Sequence, residues 1–335
     1  MTIYSGTVQT FAQIGIREDL SDAIMNISPW ETPFIAMARK GTARNRTPEW
    51  LRDRLRSPSP TNKTIEGDDV TAGSSVTQPE RLKNVVQLFS ETVVVSDTAR
   101  AVNTAGRNDD LKYHVAKAGK SLKTDMEQRF LGNYASVVGN SSTAGEAAGA
   151  ESWIETNTSH GSGGSEGGFN SGTGLVVAQT DGTGRSFTET LLKTEIAACW
   201  NVGGEPTVVM MSGTKKQTAS GFSGIATQFN QVNEQNKVMI YGAADVYKSD
   251  FGQHKLLPNR FVGAGTGRSA DSNTGLFAGQ TVLGLTPSTW EIKFLQPFKV
   301  VELARTGHAE KRLLKAEATV ACKEERGNFA ICDLS

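Results

Sequence analysis

The sequence predicts an α+β protein with long appendages outside its core. Three features point there: a long amphipathic helix at 108–132, a mixed α/β stretch across 187–285, and a run of strands at 290–335. The segments ahead of the helix are too polar and too often broken by proline to build a core alone.

The helix is the strongest local signal. Leu111, Val115, Ala118, Leu122, Met126 and Phe130 recur at steps of three or four, lining one helical face as its predicted core. Asp109 and Asp110 suit the positive end of the helix dipole, and Gly132-Asn133 supplies the stop. Lys112, Lys117, Lys120, Lys123 and Glu127 occupy the remaining faces. At ~1.5 Å per residue the helix reaches about 30–35 Å, long for a domain of this size.

The α/β stretch opens with an amphipathic helix at 187–200, ended by Gly203-Gly204. Thr207-Val208-Val209-Met210-Met211 is a continuous apolar run, as a strand buried on both faces requires. A short helix at 213–222, strands at 237–241, 245–251 and 254–261, and a loop at 263–279 complete it. The terminal section alternates with period two at Trp290, Ile292 and Phe294, then runs on through 299–304 and 313–323. Glu325-Arg326-Gly327-Asn328 reads as a hairpin turn that 329–332 closes, giving a sheet beside the long helix.

Among the appendages, 1–38 holds a helical piece at 16–24, interrupted at Pro29 and Pro33. Residues 39–84 are loop-rich, with Pro48, Pro58, Pro60 and Pro79 and turns at 64–69 and 73–75. Arg39, Lys40, Arg44, Arg46, Arg52, Arg54 and Arg56 face only two acids, Glu49 and Asp53, within 39–56. The β-branched run 85–95 reads as a strand returning from that excursion. A coreless loop of this length normally finds its partner on another chain or is a disordered linker. Its basic stretch suits either a phosphate backbone or carboxylates of a neighbouring subunit. Arginine outnumbering lysine, with Trp50 and Leu51 interleaved, favours the protein interface. Residues 136–186, dominated by Gly, Ser, Thr, Asn and Ala, read as a surface loop anchored by Trp153 and Ile154.

Composition narrows the function classes. Lys+Arg and Asp+Glu both number 35, and a zero net charge argues against a dedicated nucleic-acid binder. No apolar run approaches a membrane span, and the first residues lack the regions of a signal peptide. Three scattered cysteines, Cys199, Cys322 and Cys332, fit a reducing compartment and exclude a disulfide scaffold. The four histidines lie far apart, with no metal-ligand spacing, so neither a metal nor a cofactor is expected. Gly263-Ala264-Gly265-Thr266-Gly267-Arg268 lacks the strand-then-helix context of a dinucleotide loop. With no catalytic constellation, the expectation is a non-enzyme whose appendages serve assembly.

The residues also resemble a family. Thr32-Pro33-Phe34, Glu49-Trp50, Glu66-Gly67, Arg81 with Asn84, and 93–96 come in the order seen in major capsid (head) proteins of a tailed-bacteriophage group. Ala101-Val102, Gly106-Arg107, Asp110-Leu111, Tyr113, 120–127, Leu131 with Asn133, and 149–157 continue that likeness. It covers 30–160 specifically; beyond 187 it rests on the order of elements.

The resemblance implies the tailed-phage major capsid fold. An N-terminal arm would span 1–45 and an extended β-hairpin loop 46–95. A peripheral domain of spine helix (108–132) and sheet would comprise 96–135 and 286–335. The Gly/Ser-rich loop would be 136–186 and an α/β axial domain 187–285. It further implies homo-pentamers and homo-hexamers forming an icosahedral shell around double-stranded DNA, assembled in the bacterial cytoplasm and resident in the virion. A portal at one vertex, scaffold and decoration proteins are the other implied partners; no membrane is. The expected inter-subunit residues are Trp50, Arg44, Arg46, Arg52, Arg54, Arg56 and Arg81, with Glu66, Asp68 and Asp69 as carboxylate partners. An encapsulin-like cargo shell is the alternative on the same fold. An enzyme with a diffuse site in 187–285 would need paired acid–base residues that the sequence lacks. The long helix disfavours an all-β tail-tube or decoration protein.

Overall fold

The computed structural model describes residues 28–67, 69, 76, 78–102, 109–222, 244–271, 276–277 and 279–335. The expected helix at 16–24, strand at 237–241, turn at 73–75, and the residues Asp68, Gly106 and Arg107 lie outside them. In chain order the elements begin with α1 (Pro33–Met37), β1 (Arg39–Thr42), β2 (Glu49–Arg52), β3 (Glu80–Lys83) and β4 (Gln87–Ser96). Next come α2 (Asp97–Ala101), α3 (Asp110–Leu131), α4 (Ala150–Trp153), β5 (Thr158–Ser159), β6 (Gly168–Asn170) and β7 (Leu175–Val177). Then follow α5 (Glu189–Asn201), β8 (Val208–Met211), α6 (Gly213–Ser220), β9 (Val246–Ser249) and β10 (Gly252–Pro258). The chain ends with β11 (Val282–Leu285), β12 (Trp290–Glu302), β13 (Ala309–Cys322) and β14 (Phe329–Ile331). The α+β expectation holds.

Asp109 starts α3, its carboxylate accepting from Leu111 N at 3.0 Å and Lys112 N at 3.3 Å. Leu111, Ala118, Leu122, Met126 and Phe130 are buried, and Val115 is half-buried against the same core. That core is completed by a four-stranded sheet ordered β1-β12-β13-β4. The antiparallel β12–β13 hairpin forms its centre, with β4 antiparallel to β13 and β1 parallel to β12. Phe89, Ile292, Leu314, Ala316, Ala318 and Val320 cluster with the helix residues, and Phe89 meets Phe130 edge-on at 5.7 Å.

A second, six-stranded sheet is ordered β5-β14-β11-β8-β10-β9 and stands between two apolar cores. Along β8, Met210 faces the α3 core while Val209 and Met211 face the core under α5. β14 does the same, with Ala330 on one side and Phe329 and Ile331 on the other. The unbroken apolar pattern of these strands follows from having protein on both faces.

Here the expected C-terminal hairpin is corrected. The chain leaves β13 through a 3-10 turn at Glu325–Gly327, and β14 pairs with β11 and β5 rather than folding back on β13. A three-residue apolar strand carries no signal naming its neighbour, so pairing is decided by which sheet offers an edge. Residues 286–335 are therefore shared between both sheets.

The Gly/Ser-rich segment is exposed at 140–144, 162–163, 165–166 and 170–173 and is held by more than the Trp153–Ile154 anchor. It packs into the α3 core through Ala147, Ala148, Ala150, Trp153, Ile154 and Val176. Buried side-chain amides fasten its backbone. Asn133 Nδ2 donates to Gln179 O at 2.8 Å, and its Oδ1 accepts from Gln179 N at 2.8 Å. Asn84 Nδ2 donates to Val320 O at 2.7 Å, and its Oδ1 accepts from Ala148 N at 3.1 Å. Glycine lets the chain come this close. A Cβ on Gly149 would meet Gly132 O at 2.1 Å and Arg129 O at 2.7 Å.

The arm's described end is integrated too. Phe34 is fully buried against Trp290, ring centroids 5.8 Å apart, and β1 adds to the sheet beside β12. The buried carboxylate of Glu127, on α3, accepts from Phe34 N (2.7 Å), Ile35 N (2.8 Å) and Asn259 Nδ2 (2.8 Å). One side chain thus joins α1, α3 and the loop after β10. Burial raises its pKa from 4.5 to about 7, against the lowering effect of these three hydrogen bonds.

Three outcomes follow for stability. Ala at Gly149 forces a backbone clash and should lower stability by about 1–3 kcal/mol in chemical denaturation. Gly119, inside α3, has only Leu314 Cδ2 within reach of an added Cβ, at 3.7 Å, an ordinary contact. Gly119→Ala should therefore stabilise by up to about 1 kcal/mol, and a loss of stability would contradict this packing. Glu127 holds its proton to higher pH folded than unfolded, so its contribution is present below 4.5 and lost as pH rises through about 7. That loss amounts to about 3 kcal/mol. Glu127→Gln should flatten this part of the pH–stability curve, whatever the amide costs opposite the Ile35 N–H. An unchanged slope would assign the titration to another group.

Candidate assembly surface

β2 and β3 form the root of a long hairpin, with Arg52 opposite Glu80 and Trp50 opposite Leu82. Leu82 is buried and Trp50 half-buried. Trp50 lies 5.5 Å from Trp153, which stacks on Phe169 at 5.9 Å, and Trp50 Nε1 donates to Cys322 O at 2.8 Å. Lys293 Nζ sits 4.9 Å over the Trp50 ring. The root is clamped to the body.

Beyond the root the picture reverses. Every described residue from Leu55 to Pro79 is exposed, with Leu55 at 98%, Ile65 at 79% and Val76 at 82%. A monomer gains nothing from apolar side chains held this far into water.

Charge separates root from shaft. Arg52 pairs with Glu80, its Nε donating at 3.1 Å, while Arg54 Nη2 lies 2.7 Å from Glu324 and 3.1 Å from Glu325. Arg52 Nη1 reaches the same two acids at 3.9 and 4.0 Å. Glu325 also accepts from Thr156 N at 3.1 Å and from Thr156 Oγ1 at 2.8 Å. The Glu324 hydrogen bond holds the Arg54 guanidinium above its usual range. Burial alone would push Glu324 up, but Arg54, the Arg326 N–H and Arg52 together bring it below the ordinary carboxylate range.

Arg52 and Arg54, expected to bridge to a neighbouring subunit, therefore make their ion pairs within the chain. The strand register sets Glu80 opposite Arg52, and the turn after β13 brings Glu324 and Glu325 beneath the root. Glu66 and Asp69 are exposed on the shaft, remote from those arginines' pairs, and Asp68 lies outside the described residues. Arg44, Arg46 and Arg56 are exposed, and Arg81 is exposed with its Nη1 3.5 Å from Glu49. Trp153 and Ile154 are fully buried, and the Trp153 ring contacts Trp50 of the root and stacks on Phe169.

Sequence reasoning missed Glu80, Glu324 and Glu325. Of the last two only Glu325 was read, as a turn residue, although an acidic pair just past the longest strand complements Arg52 and Arg54 in charge. It also missed Glu151, fully buried, which pairs with Arg268 at 2.8 Å and accepts from Thr281 Oγ1 at 3.0 Å. Arg268 ends the Gly263–Gly267 turn, whose glycines at 263 and 267 have φ of +96° and +82°. That turn is a structural device: its guanidinium is held by Glu151 and Asp181. Among the described residues no group of three His, Cys, Asp or Glu could hold a metal, and no helix is long and apolar enough to cross a membrane.

This architecture matches known proteins along its length. Cyanophage A-1(L) capsid protein superposes with a TM-score of 0.62 at 11% identity, covering 97% of this chain and 98% of that one. The capsid of a native GTA particle gives 0.60 at 9% identity, again over 97% and 98%. The SrpI encapsulin of Synechococcus elongatus gives 0.54 at 10%, over 98% and 96%. At these identities the likeness shows the shared fold. By sequence, the major capsid protein of Escherichia phage Phieco32 is 32% identical over 127 residues, a stretch covering 38% of this chain and 36% of that protein. The family model described as SU10 major capsid protein matches residues 3–335. The chain belongs to the SU10 major capsid protein family.

Proposed function

We propose that this chain is the shell subunit of a phage head, assembling through pentamers and hexamers into an icosahedral capsid around double-stranded DNA. The observation that carries this reading is the hairpin clamped at its root and exposed along its shaft. Leu55, Ile65 and Val76 become buried only if another copy receives them. Burying such a side chain contributes about 1.5–3 kcal/mol, and several weak contacts per subunit multiply through a closed shell. In this reading 1–45 is the arm, 46–95 the extended loop, 96–135 with 286–335 the peripheral domain, and 187–285 the axial domain. A portal at one vertex and scaffold or decoration proteins complete the partners. Arg44, Arg46, Arg56, Glu66 and Asp69, exposed along the arm and shaft, are the charges available to neighbours. Arg52 and Arg54 set the angle at which the shaft leaves the body.

The encapsulin reading shares the fold and the same exposed shaft. The family match to phage capsid proteins favours the head.

Negative-stain microscopy with sedimentation of the expressed protein, alone and with its candidate scaffold, tests the shell. Leu55→Asp with Ile65→Asp should leave monomer stability within about 0.5 kcal/mol, because both side chains are solvated, yet abolish shells. Normal shells from that double variant would overturn the role given to the shaft. Arg54→Glu should act differently. It places a third carboxylate beside Glu324 and Glu325, so the monomer itself loses stability, by about 3–5 kcal/mol if the buried Glu325 is left uncompensated. Equal thermal stability of Arg54→Glu and the parent would contradict the clamp.

A further inference from the structure

Charge is unevenly used across this neutral chain. Arg52, Arg54, Arg129, Arg268 and Arg312 hold carboxylates of the same chain, and their planar forks serve as internal fasteners. Lysines on α3 do the opposite. Lys112, Lys117, Lys120 and Lys123 are all exposed and clear of the buried row of Ala118, Leu122 and Met126, with Lys117 and Lys123 flanking the helix towards Glu91 of β4 and Phe298 of β12. Of the helix's acids, Asp109 and Asp110 lie at the N-terminus, Glu127 follows Lys123 by one turn but is buried under α1, and Asp125 is exposed beside the lysines.

Among the described residues only Lys112 of the four has a carboxylate within ion-pair distance, Asp109 at 3.7 Å. Lys117 lies towards the sheet edge, within electrostatic reach of Glu91. Lys120 Nζ rests 4.9 Å above the Trp30 ring and Lys123 Nζ 5.9 Å from the Phe298 ring, which steadies the ammonium groups without neutralising them.

We propose that this lysine face of α3 is the surface that touches the enclosed duplex, through its phosphate backbone and without sequence preference. The inference rests on the shell reading above and names the face it leaves open. From Lys112 to Lys123 the helix rises about 16 Å. Duplex DNA presents one charge per ~1.7 Å of axis, so a segment lying along the stripe meets it with a dense phosphate row. Lysine suits the task. A hydrated point charge on a flexible stem accepts phosphate in any orientation and releases it readily, which DNA moving during packaging requires. Four such charges give weak, salt-sensitive contact, compatible with a wall of zero net charge.

Binding of a short mixed-sequence duplex to the unassembled protein, followed by fluorescence anisotropy across rising salt, tests the face. Lys112→Gln, Lys117→Gln, Lys120→Gln and Lys123→Gln combined should reduce the log–log salt slope by about three to four, since each phosphate contact contributes ~0.9. The control is Lys299→Gln, Lys311→Gln and Lys315→Gln. Lys311 and Lys315 alternate with the helix-facing Leu314 and Ala316, and Lys299 lies opposite Lys315. That control should leave the slope unchanged. Equal losses in both variants, or no loss in either, would overturn the assignment. Lysine acylation read by mass spectrometry in DNA-filled and emptied particles needs no variant. Protection of the four lysines only in filled particles supports the proposal. Equal protection in both overturns it in favour of a protein contact on this face. Sedimentation of the same preparations scores the shell reading separately, because absence of particles counts against assembly while the duplex titration still decides the lysine face.

Discussion

Burial of one face of α3 against the β12–β13 hairpin and β4 organises the rest of the molecule. Five helix residues vanish from solvent there, and the sheet answers with small side chains, Ala316 and Ala318, that let the helix axis come close. Every other segment is attached to this platform. The arm enters beneath Glu127, the root of the hairpin leans on Trp153, and the six-stranded sheet turns Met210, Leu283 and Ala330 towards the same core. Dispersion and apolar burial supply the adhesion, and no single polar contact could replace them.

Polar side chains then specify where each attachment lies. Asn84, Asn133 and Gln179 bond to buried backbone of the glycine-rich segment at Ala148, Gln179 and Glu151, which regular pairing does not satisfy. Glu151 and Glu325 work as buried acceptors at loop junctions. Such groups are expensive to leave unpaired, so their chief effect is to exclude alternative placements of the segments they hold. Arginine carries much of the charged part of this work, while the lysines of α3 are left on the surface.

The clamped root and solvated shaft express one constraint from two sides. In the shell proposed above, a long hairpin reaching another subunit needs a fixed angle of departure, and ion pairs to Glu80, Glu324 and Glu325 supply it. It also needs adhesive residues that its own core does not consume. The same division recurs on α3, apolar along its buried row and basic where it is exposed.

By itself the sequence determined the elements with strong periodicity. The face of α3, the two-sided character of Val208–Met211, and the alternation from Trp290 onward all follow from spacing and residue type, because 3.6- and two-residue periods are local properties. It also showed that 39–84 has no core of its own. Only the tertiary structure decided which sheet receives Phe329–Ile331, that parts of the Gly/Ser-rich segment join the α3 core, and that Arg52 and Arg54 are satisfied within the chain. The Gly/Ser-rich segment looked peripheral because its attachment comes from other segments' amides and from clearances such as that at Gly149. Strand partners, buried hydrogen bonds and charge pairs join residues far apart along the chain, Arg54 with Glu324 or Glu127 with Phe34. No local pattern encodes such distances; they exist only once packing has brought the segments together.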